Sequence, residues 1–96
     1  MIEVEMIERR SKTLVKAEGH AEYAERGKDI VCAGVSILMK ALAAEATLRG
    51  GKCKFEEGCA VVSYPTRRMR QGTEMFIAGV ESLAQEYPEH VKIIRK

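Results

Sequence analysis

Apolar and charged residues alternate at the start of the chain, and a two-residue period is typical of strands with one buried face. The first alternating run extends from Ile2 to about Glu8, and a second one follows a polar turn at residues 9–12 and ends at Gly19. These two runs predict two strands joined as a hairpin. Residues 20–28 show no sustained apolar period, which predicts a loop.

An almost continuous apolar run comes next and predicts a helix over residues 29–49. Asp29 stands immediately before the run, and aspartate is among the residues preferred at a helix N-cap. The paired glycines Gly50 and Gly51 predict the end of the helix. Because apolar residues go nearly all the way round for three turns, we expect this helix to be central and mostly buried.

The remainder of the chain predicts a second hairpin, a second helix and a last strand. Alternating residues over 52–56 and the apolar run from Cys59 to Tyr64 predict the strands of the hairpin. Apolar residues recur at helical spacing between Phe76 and Tyr87, and residues 91–95 suit a final strand. The order ββαββαβ predicts a small single-domain α+β sandwich over residues 1–96, with both helices packed on one mostly antiparallel sheet.

The charge balance is close to neutral. The 96 residues include 16 Lys and Arg and 14 Asp and Glu, which gives a formal net charge of +2. So small a charge does not attract nucleic acid unless the basic residues are segregated. The dense basic run of Arg67, Arg68 and Arg70 has no interleaved aromatic residues, so we expect a solvated face or substrate rim there and no direct nucleic-acid contact.

Cysteine usage and hydropathy bear on compartment and cofactors. The three cysteines are an odd number, and the first residues lack a secretory pattern, so we expect a reducing, cytoplasmic compartment. The run Ile30–Met39 is far shorter than the ~20 apolar residues that cross a bilayer, so no membrane span is expected. Cys53 and Cys59 have no second ligand pair at zinc spacing, which favours core packing without a metal or other cofactor.

One cysteine stands where it could be reactive. Cys32 falls in the first turn of the long helix, where unpaired backbone N–H groups and the helix dipole favour an anion such as a thiolate. Asp29, Cys32 and Ser36 share one stripe of this helix. His20 ends the second strand, and the following loop is long enough for its imidazole to reach the thiol as a general base. N–H groups at the helix start could then hold an oxyanion, which outlines a Cys-His hydrolase.

The residues alone leave structural alternatives open. A cysteine on an apolar helix is more often a packing residue than a nucleophile, and a histidine at a strand end is more often structural. Asp29 is either a helix cap alone or a group that orients His20 or contacts a substrate amide, and Ser36 could bond the backbone one turn back. Gly19 and Gly27 could serve turns that need a positive φ.

The stretch from Gly19 to Ser36 resembles the signature of the ribosomal-processing cysteine protease family, Prp. That signature joins a Gly-His pair, a loop and the run Asp-Ile-Val-Cys-Ala-Gly-Val-Ser, and it covers eighteen of the 96 residues here. The resemblance implies a homodimeric bacterial endopeptidase that removes an N-terminal extension from large-subunit ribosomal protein twenty-seven. Family substrates carry hydrophobic and aromatic residues before the cut and a small residue after it.

The same resemblance implies roles for individual residues. By position, Cys32 is the nucleophile and His20 the base, while Gly19 lies at the base of a mobile loop over the site. Asp29 and Ser36 match signature positions that support substrate binding or site geometry. The resemblance also implies that this mobile loop includes Ala21, Tyr23 and Gly27.

Other functions remain open on the sequence. Relatives of the family in phage and prophage settings would process a capsid or scaffold protein. A non-catalytic ribosome or capsid assembly factor that binds a peptide along a sheet edge is a further alternative. A thiol redox protein is the weakest one, because the chain has no Cys-x-x-Cys pair.

Overall fold

Strands and helices follow one another along the chain in the predicted order ββαββαβ. The structure is a computed structural model that describes residues 1–25 and 28–96, so Gly27 lies outside the described residues. The elements are β1 (Ile2–Glu8), β2 (Lys12–Gly19), α1 (Ile30–Leu48), β3 (Lys52–Glu56), β4 (Cys59–Pro65), a 3₁₀ turn (Thr66–Met69), α2 (Arg70–Glu86) and β5 (Val91–Arg95).

The strands form one sheet in the order β3-β4-β2-β1-β5. The pairs β1–β2, β2–β4 and β3–β4 are antiparallel, and β5 adds in parallel beside β1. The two helices contact each other, α1 also contacts β3 and β4, and α2 contacts β5. This arrangement confirms the predicted α+β fold, with two helices on a mixed, mostly antiparallel sheet.

The hydrophobic core lies between the sheet and the helices. The alternating pattern of the strands determines which side chains enter it, because successive residues of a strand point to opposite faces. Val4 and Met6 of β1 and Val15 of β2 are fully buried, whereas Glu3 and Glu18 on the same two strands are exposed. The helices contribute the following buried residues: Val31, Val35, Met39, Leu42, Ala43 and Ala46 from α1, and Phe76, Ile77 and Val80 from α2.

The long helix α1 agrees with the predicted bounds but not with the predicted burial. Ile30, Ile37 and Leu48 are 58%, 65% and 84% exposed. The prediction of a mostly buried helix is therefore wrong for this chain. Because α1 packs on the sheet on one side only, no element of the described residues covers its opposite side, and the apolar residues there face outward. We call this side the outer face of α1.

By length and composition, α1 could cross a membrane, since it has 19 residues and a mean hydropathy of 1.6. The expectation drawn from the shorter run Ile30–Met39 therefore understates the apolar length of this helix. Core helices of soluble proteins meet the same criterion, so it is weak evidence for a span. Six buried residues of α1 pack in the core and explain part of its apolar composition.

Candidate active site

The thiol of Cys32 lies half-buried in the first turn of α1, as the sequence predicts. Its Sγ accepts a hydrogen bond from the backbone N–H of Ala21, with the nitrogen and sulfur 3.2 Å apart. Ala21 directly follows His20, so the end of β2 and the start of α1 meet at this sulfur. A backbone N–H aimed at sulfur favours negative charge on it, because an N–H donor stabilises an anion.

Asp29 is the N-cap of α1 and also holds the loop before it. Its Oδ1 accepts from the N–H groups of Val31 and Cys32 at 3.0 and 2.9 Å. Its Oδ2 accepts from the N–H groups of Tyr23 and Ala24 at 2.9 and 3.4 Å. The carboxylate thus accepts from backbone donors in the loop and at the start of α1, and none of its described hydrogen bonds is to the ring of His20.

These donors also decide the charge of Asp29. Burial raises the pKa of its carboxyl, but the backbone N–H groups of Cys32, Tyr23, Ala24 and Val31 outweigh this effect. The pKa of Asp29 therefore lies below its ordinary value of 3.8. At neutral pH the group is a carboxylate, which is the form that can accept all four bonds.

The cap changes what the start of α1 can offer to a substrate. The N–H groups of Val31 and Cys32 donate to the Asp29 side chain, and the N–H of Ala33 donates to the Asp29 carbonyl oxygen at 3.0 Å. These are the first-turn donors that the sequence suggested for an oxyanion. In this structure these three donors already have acceptors on Asp29, and the role suggested for the helix start stays a prediction.

The backbone at the end of β2 requires glycine. Gly19 has φ +103°, and a Cβ on it would collide with the carbonyl oxygen of Met1. Its N–H donates to the carbonyl oxygen of Gly58, in the turn between β3 and β4, at 2.9 Å. A Cβ on Gly58, which has φ +74°, would lie 3.3 Å from Nε2 of His20. The exposed His20 ring therefore lies beside the β3–β4 turn, and glycine at both positions lets it do so.

Two cavities meet at the predicted catalytic residues. The hairpin cavity, of about 270 Å³, lies between α1 and the β3–β4 hairpin and includes Val35, Met39 and Phe55 in its wall. The loop cavity, of about 590 Å³, is bounded by α1 and the loop that follows β2. Both are lined by the same three residues, namely His20, Cys32 and Ser36. The structure thus brings together side chains that the sequence separates by up to sixteen positions.

The loop after β2 is anchored to the far end of the chain. The Tyr23 ring packs edge-on against Tyr87 and His90, with ring centroids 5.2 and 5.4 Å apart. Nδ1 of His90 is 2.8 Å from the carbonyl oxygen of Ala21, and Ala21 itself is 1% exposed. Sequence reasoning missed Tyr87 and His90, since no local pattern connects them to the loop. The mobility expected for this loop stays a prediction.

The other cysteines do not pack as the sequence suggested. Cys53 is exposed on the edge strand β3, and no element in the described part of the chain covers it, so its predicted core position is wrong. Cys59 is half-buried and lines the hairpin cavity. All three cysteines are free thiols. In residues 1–25 and 28–96, no group of three or more His, Cys, Asp or Glu side chains is arranged to hold a metal ion.

The arginine run lies apart from these cavities. Arg67 and Arg68 line a third cavity together with Arg10, Ser11 and Pro65, and this cavity shares no residue with the other two. Arg67, Arg68 and Arg70 are all exposed, in agreement with the expected solvated face. Nothing in the described contacts makes them a rim of the Cys32 site.

Known proteins resemble this chain over nearly its whole length. The sequence model of the family described as "Cysteine protease Prp" matches residues 1–92. The "Ribosomal processing cysteine protease Prp" of Mycoplasma genitalium is 32% identical over 89 residues, which cover 86% of this chain and 88% of that relative.

Solved structures share the fold. Crystal structures of the ribosomal processing protease Prp from S. aureus, one with a covalently linked product peptide and one with a substrate peptide, each superpose with a TM-score of 0.78. They are 19% and 22% identical to this chain and match over 100% of both chains. SMU.848 from Streptococcus mutans has a TM-score of 0.67 at 29% identity, with 100% of this chain and 96% of that chain covered. The match to the family over residues 1–92, together with the 32% identical relative, shows that this chain belongs to the Prp family of cysteine proteases.

Proposed function

We propose that this protein is the endopeptidase that removes the N-terminal extension of large-subunit ribosomal protein twenty-seven, using Cys32 as nucleophile and His20 as base. One observation carries the proposal: His20 and Cys32 line the same two cavities, with an N–H donor already on the sulfur. The relative from Mycoplasma genitalium is named for ribosomal processing, which favours a ribosomal substrate. The cytoplasm is the proposed compartment, since ribosomes and reduced thiols occur there.

The chemistry follows that of other cysteine nucleophiles. His20 takes the proton of the Cys32 thiol, and the sulfur attacks the carbonyl carbon of the scissile peptide bond. The C–N bond then breaks, and the imidazolium returns its proton to the leaving amine. Water hydrolyses the resulting thioester and releases the extension. Among the described residues no hydrogen bond yet joins the His20 ring to Cys32, as is common for catalytic pairs before substrate binds.

The cavity walls favour an apolar peptide. Val35, Met39 and Phe55 give the hairpin cavity an apolar surface next to Cys32, and apolar side chains gain free energy by leaving water for such a surface. A hydrophobic or aromatic residue before the cut would be held there. Ser36, one turn after Cys32 and exposed, lines both cavities, which supports the proposal that its hydroxyl group hydrogen-bonds the substrate backbone.

Peptide cleavage tests this function. We expect the protein to cut a peptide that copies the extension of the ribosomal protein from the same organism, at a single bond before a small residue. Mass spectrometry of the products locates the cut. Cleavage of a phage capsid or scaffold peptide instead would favour the phage alternative. Tight binding of either peptide without any cut would favour a non-catalytic assembly factor.

Alkylation provides an independent readout on the nucleophile. At neutral pH, iodoacetamide should modify Cys32 faster than Cys53, even though Cys53 is the more exposed thiol. Exposure alone would give the opposite order, so Cys53 serves as the internal control. Equal or slower modification of Cys32, measured by peptide mass mapping, would contradict its assignment as the activated thiol.

We also propose that the protein forms a homodimer through the outer face of α1. Large exposed apolar patches on soluble proteins commonly mark interaction surfaces. On α1 the exposed apolar residues recur every three or four positions over the length of the helix, which is the spacing of a continuous stripe. The residues of this stripe are Ile30, Ala33, Ile37, Ala41, Ala44 and Leu48.

A charge on the outer face should therefore dissociate the dimer. In a two-fold dimer the same patch occurs on both subunits, so Ile37→Glu would place two carboxylates in one interface. We expect sedimentation equilibrium to give twice the 10.7 kDa chain mass for the wild type and the chain mass for Ile37→Glu. Met75→Glu is the matched control, because Met75 is 76% exposed on α2. A dimer that survives Ile37→Glu, or that Met75→Glu dissociates, would contradict this interface.

A further inference from the structure

Acyl transfer to a cysteine requires hydrogen-bond donors for the negatively charged oxygen that forms during attack. In many enzymes the start of a helix supplies them. In this protein the N–H groups of Val31, Cys32 and Ala33 already donate to Asp29. The described donor that contacts the sulfur comes instead from the loop, and it is the backbone N–H of Ala21.

We propose that the backbone N–H of Ala21 stabilises the oxyanion of the tetrahedral intermediate. This inference rests on the proposed role of Cys32 as nucleophile. In the free protein the N–H of Ala21 donates to Sγ across 3.2 Å. In the intermediate one carbon separates the sulfur from the oxyanion, so a donor in hydrogen-bond contact with the sulfur lies within reach of that oxygen.

The transfer of this hydrogen bond follows the movement of charge. During attack the Sγ–C bond forms, and the π electron pair of the carbonyl moves onto oxygen, so negative charge leaves sulfur and arrives on oxygen. The proton of Ala21 stays on its nitrogen throughout and changes only its acceptor. When the intermediate collapses, the C=O bond reforms, the C–N bond breaks, and the amine receives its proton from His20.

Burial and three hydrogen bonds hold the Ala21 N–H in place before substrate arrives. The methyl group of Ala21 is buried, and its carbonyl oxygen lies 2.8 Å from Nδ1 of His90. The donors that follow in the loop, the N–H groups of Tyr23 and Ala24, are bonded to Asp29. A donor held in place in this way needs no reorganisation at the moment of reaction, which is the condition for strong electrostatic catalysis. His90 is accordingly a positioning residue.

Removing a single N–H tests the proposal directly. A peptide of residues 1–31 can be synthesised with L-lactic acid in place of Ala21, so that an ester replaces the amide between His20 and Ala21 and the N–H is absent. This peptide, prepared as a thioester, is then ligated to residues 32–96 through Cys32. We expect kcat to fall by about 10²–10³-fold, the usual cost of one oxyanion donor, with KM little changed. The matched control is the same kind of replacement at Lys28, whose backbone N–H donates to the carbonyl oxygen of Glu25 at 2.9 Å and which lines neither cavity. It should cost less than about tenfold in kcat, because that N–H is not aimed at the sulfur.

A second measurement distinguishes stabilisation of the oxyanion by the Ala21 N–H from stabilisation of the resting thiolate. The cleavage rates are compared at a pH above which alkylation of Cys32 becomes no faster, so that the thiol is fully ionised in every protein. If the Ala21 ester regains wild-type kcat there, the N–H serves only the thiolate and the proposal is overturned. Persistent loss, together with weaker inhibition by a peptide aldehyde that forms a tetrahedral adduct, supports it.

Failure of the proposal about the Ala21 N–H can be distinguished from failure of the proposed function. Semisynthetic protein of native sequence must cleave the peptide in a Cys32-dependent way, and if it does not, the proposed function fails first. If the semisynthetic native protein cleaves the peptide and the Ala21 ester cleaves it equally fast, only the inference about the Ala21 N–H fails. Should the ester misfold, His90→Ala offers the alternative, with an expected fall in kcat that His90→Asn partly restores through its side-chain N–H. Unchanged kcat in His90→Ala would contradict the positioning role.

Discussion

Replacing Cys32 with alanine is expected to abolish cleavage, lowering kcat by about 10⁴-fold or more, which is the scale of losing a covalent nucleophile. The reason is chemical, because alanine cannot form the thioester. The fold should persist, since the side chain of Cys32 is only half-buried and accepts a single described hydrogen bond. Product formation is followed by chromatography and mass spectrometry, and folding by circular dichroism.

The chain contains its own control for this experiment. Cys59 is also half-buried, and it lines the hairpin cavity. Cys59→Ala should keep kcat within a few-fold of wild type, because the proposed mechanism gives Cys59 no bond to form. Cleavage that survives Cys32→Ala, or that disappears in Cys59→Ala, would mean that the nucleophile has been misassigned.

Replacing Asp29 should affect stability and activity together. In Asp29→Ala, four backbone N–H groups lose their acceptor, two at the start of α1 and two in the loop. A lost N-cap costs about 1 kcal/mol and each buried N–H left without an acceptor costs about 1–3 kcal/mol, so we expect the free energy of unfolding to fall by at least about 2 kcal/mol. Denaturant unfolding measures this change.

The Asp29→Asn variant separates the two functions of this carboxylate. The new asparagine would cap the helix about as well as aspartate, since its carbonyl oxygen can accept from Val31 and Cys32. Its amide NH₂ cannot accept from Tyr23 and Ala24, so the loop loses its anchor. We therefore expect Asp29→Asn to retain more stability than Asp29→Ala but to lose kcat by at least about tenfold, because the loop carries the proposed oxyanion donor. Equal activity in Asp29→Asn and wild type would contradict the role of Oδ2.

The stabilisation that the Asp29 carboxylate provides should depend on pH. The pKa of Asp29 in the folded protein lies below 3.8, its ordinary value and the one expected after unfolding. Stabilisation by the carboxylate is therefore complete well above pH 3.8 and decreases as the pH falls towards the folded pKa. The asparagine side chain does not titrate, so the difference in unfolding free energy between wild type and Asp29→Asn should shrink between about pH 5 and about pH 2. A difference in unfolding free energy that stays constant over that range would contradict stabilisation by the Asp29 carboxylate.

Much of the fold could be predicted because its information is local. The period of two in β1 and β2 and the apolar run between Asp29 and Gly50 each identify an element from adjacent residues. Burial of α1 could not be predicted in the same way. An apolar residue such as Ile37 has the same pattern whether its own core or another molecule covers it, and only the packing on one side of the sheet distinguishes these cases.

The site shows the same limit. The resemblance of the stretch from Gly19 to Ser36 singled out His20 and Cys32 as candidates, and both residues line the same cavities in the structure. The contacts that position them are distant in sequence: Gly58 beside His20, and His90 on the carbonyl of Ala21. Cys53 was misplaced because alternation indicates which face a side chain points to, but not whether an edge strand has a neighbour to cover that face.

The bond between His90 and Ala21 has a consequence for the order of folding. It spans 69 positions, and His90 also accepts a hydrogen bond from the Ile2 N–H on its carbonyl oxygen, just before β5 adds in parallel beside β1. A contact between such distant segments requires the closure of a long loop, which costs conformational entropy. During synthesis, Cys32 and His20 leave the ribosome many residues before the segment that fixes Ala21. The contact that positions the proposed oxyanion donor would therefore form only after the segment around His90 has also left the ribosomal tunnel.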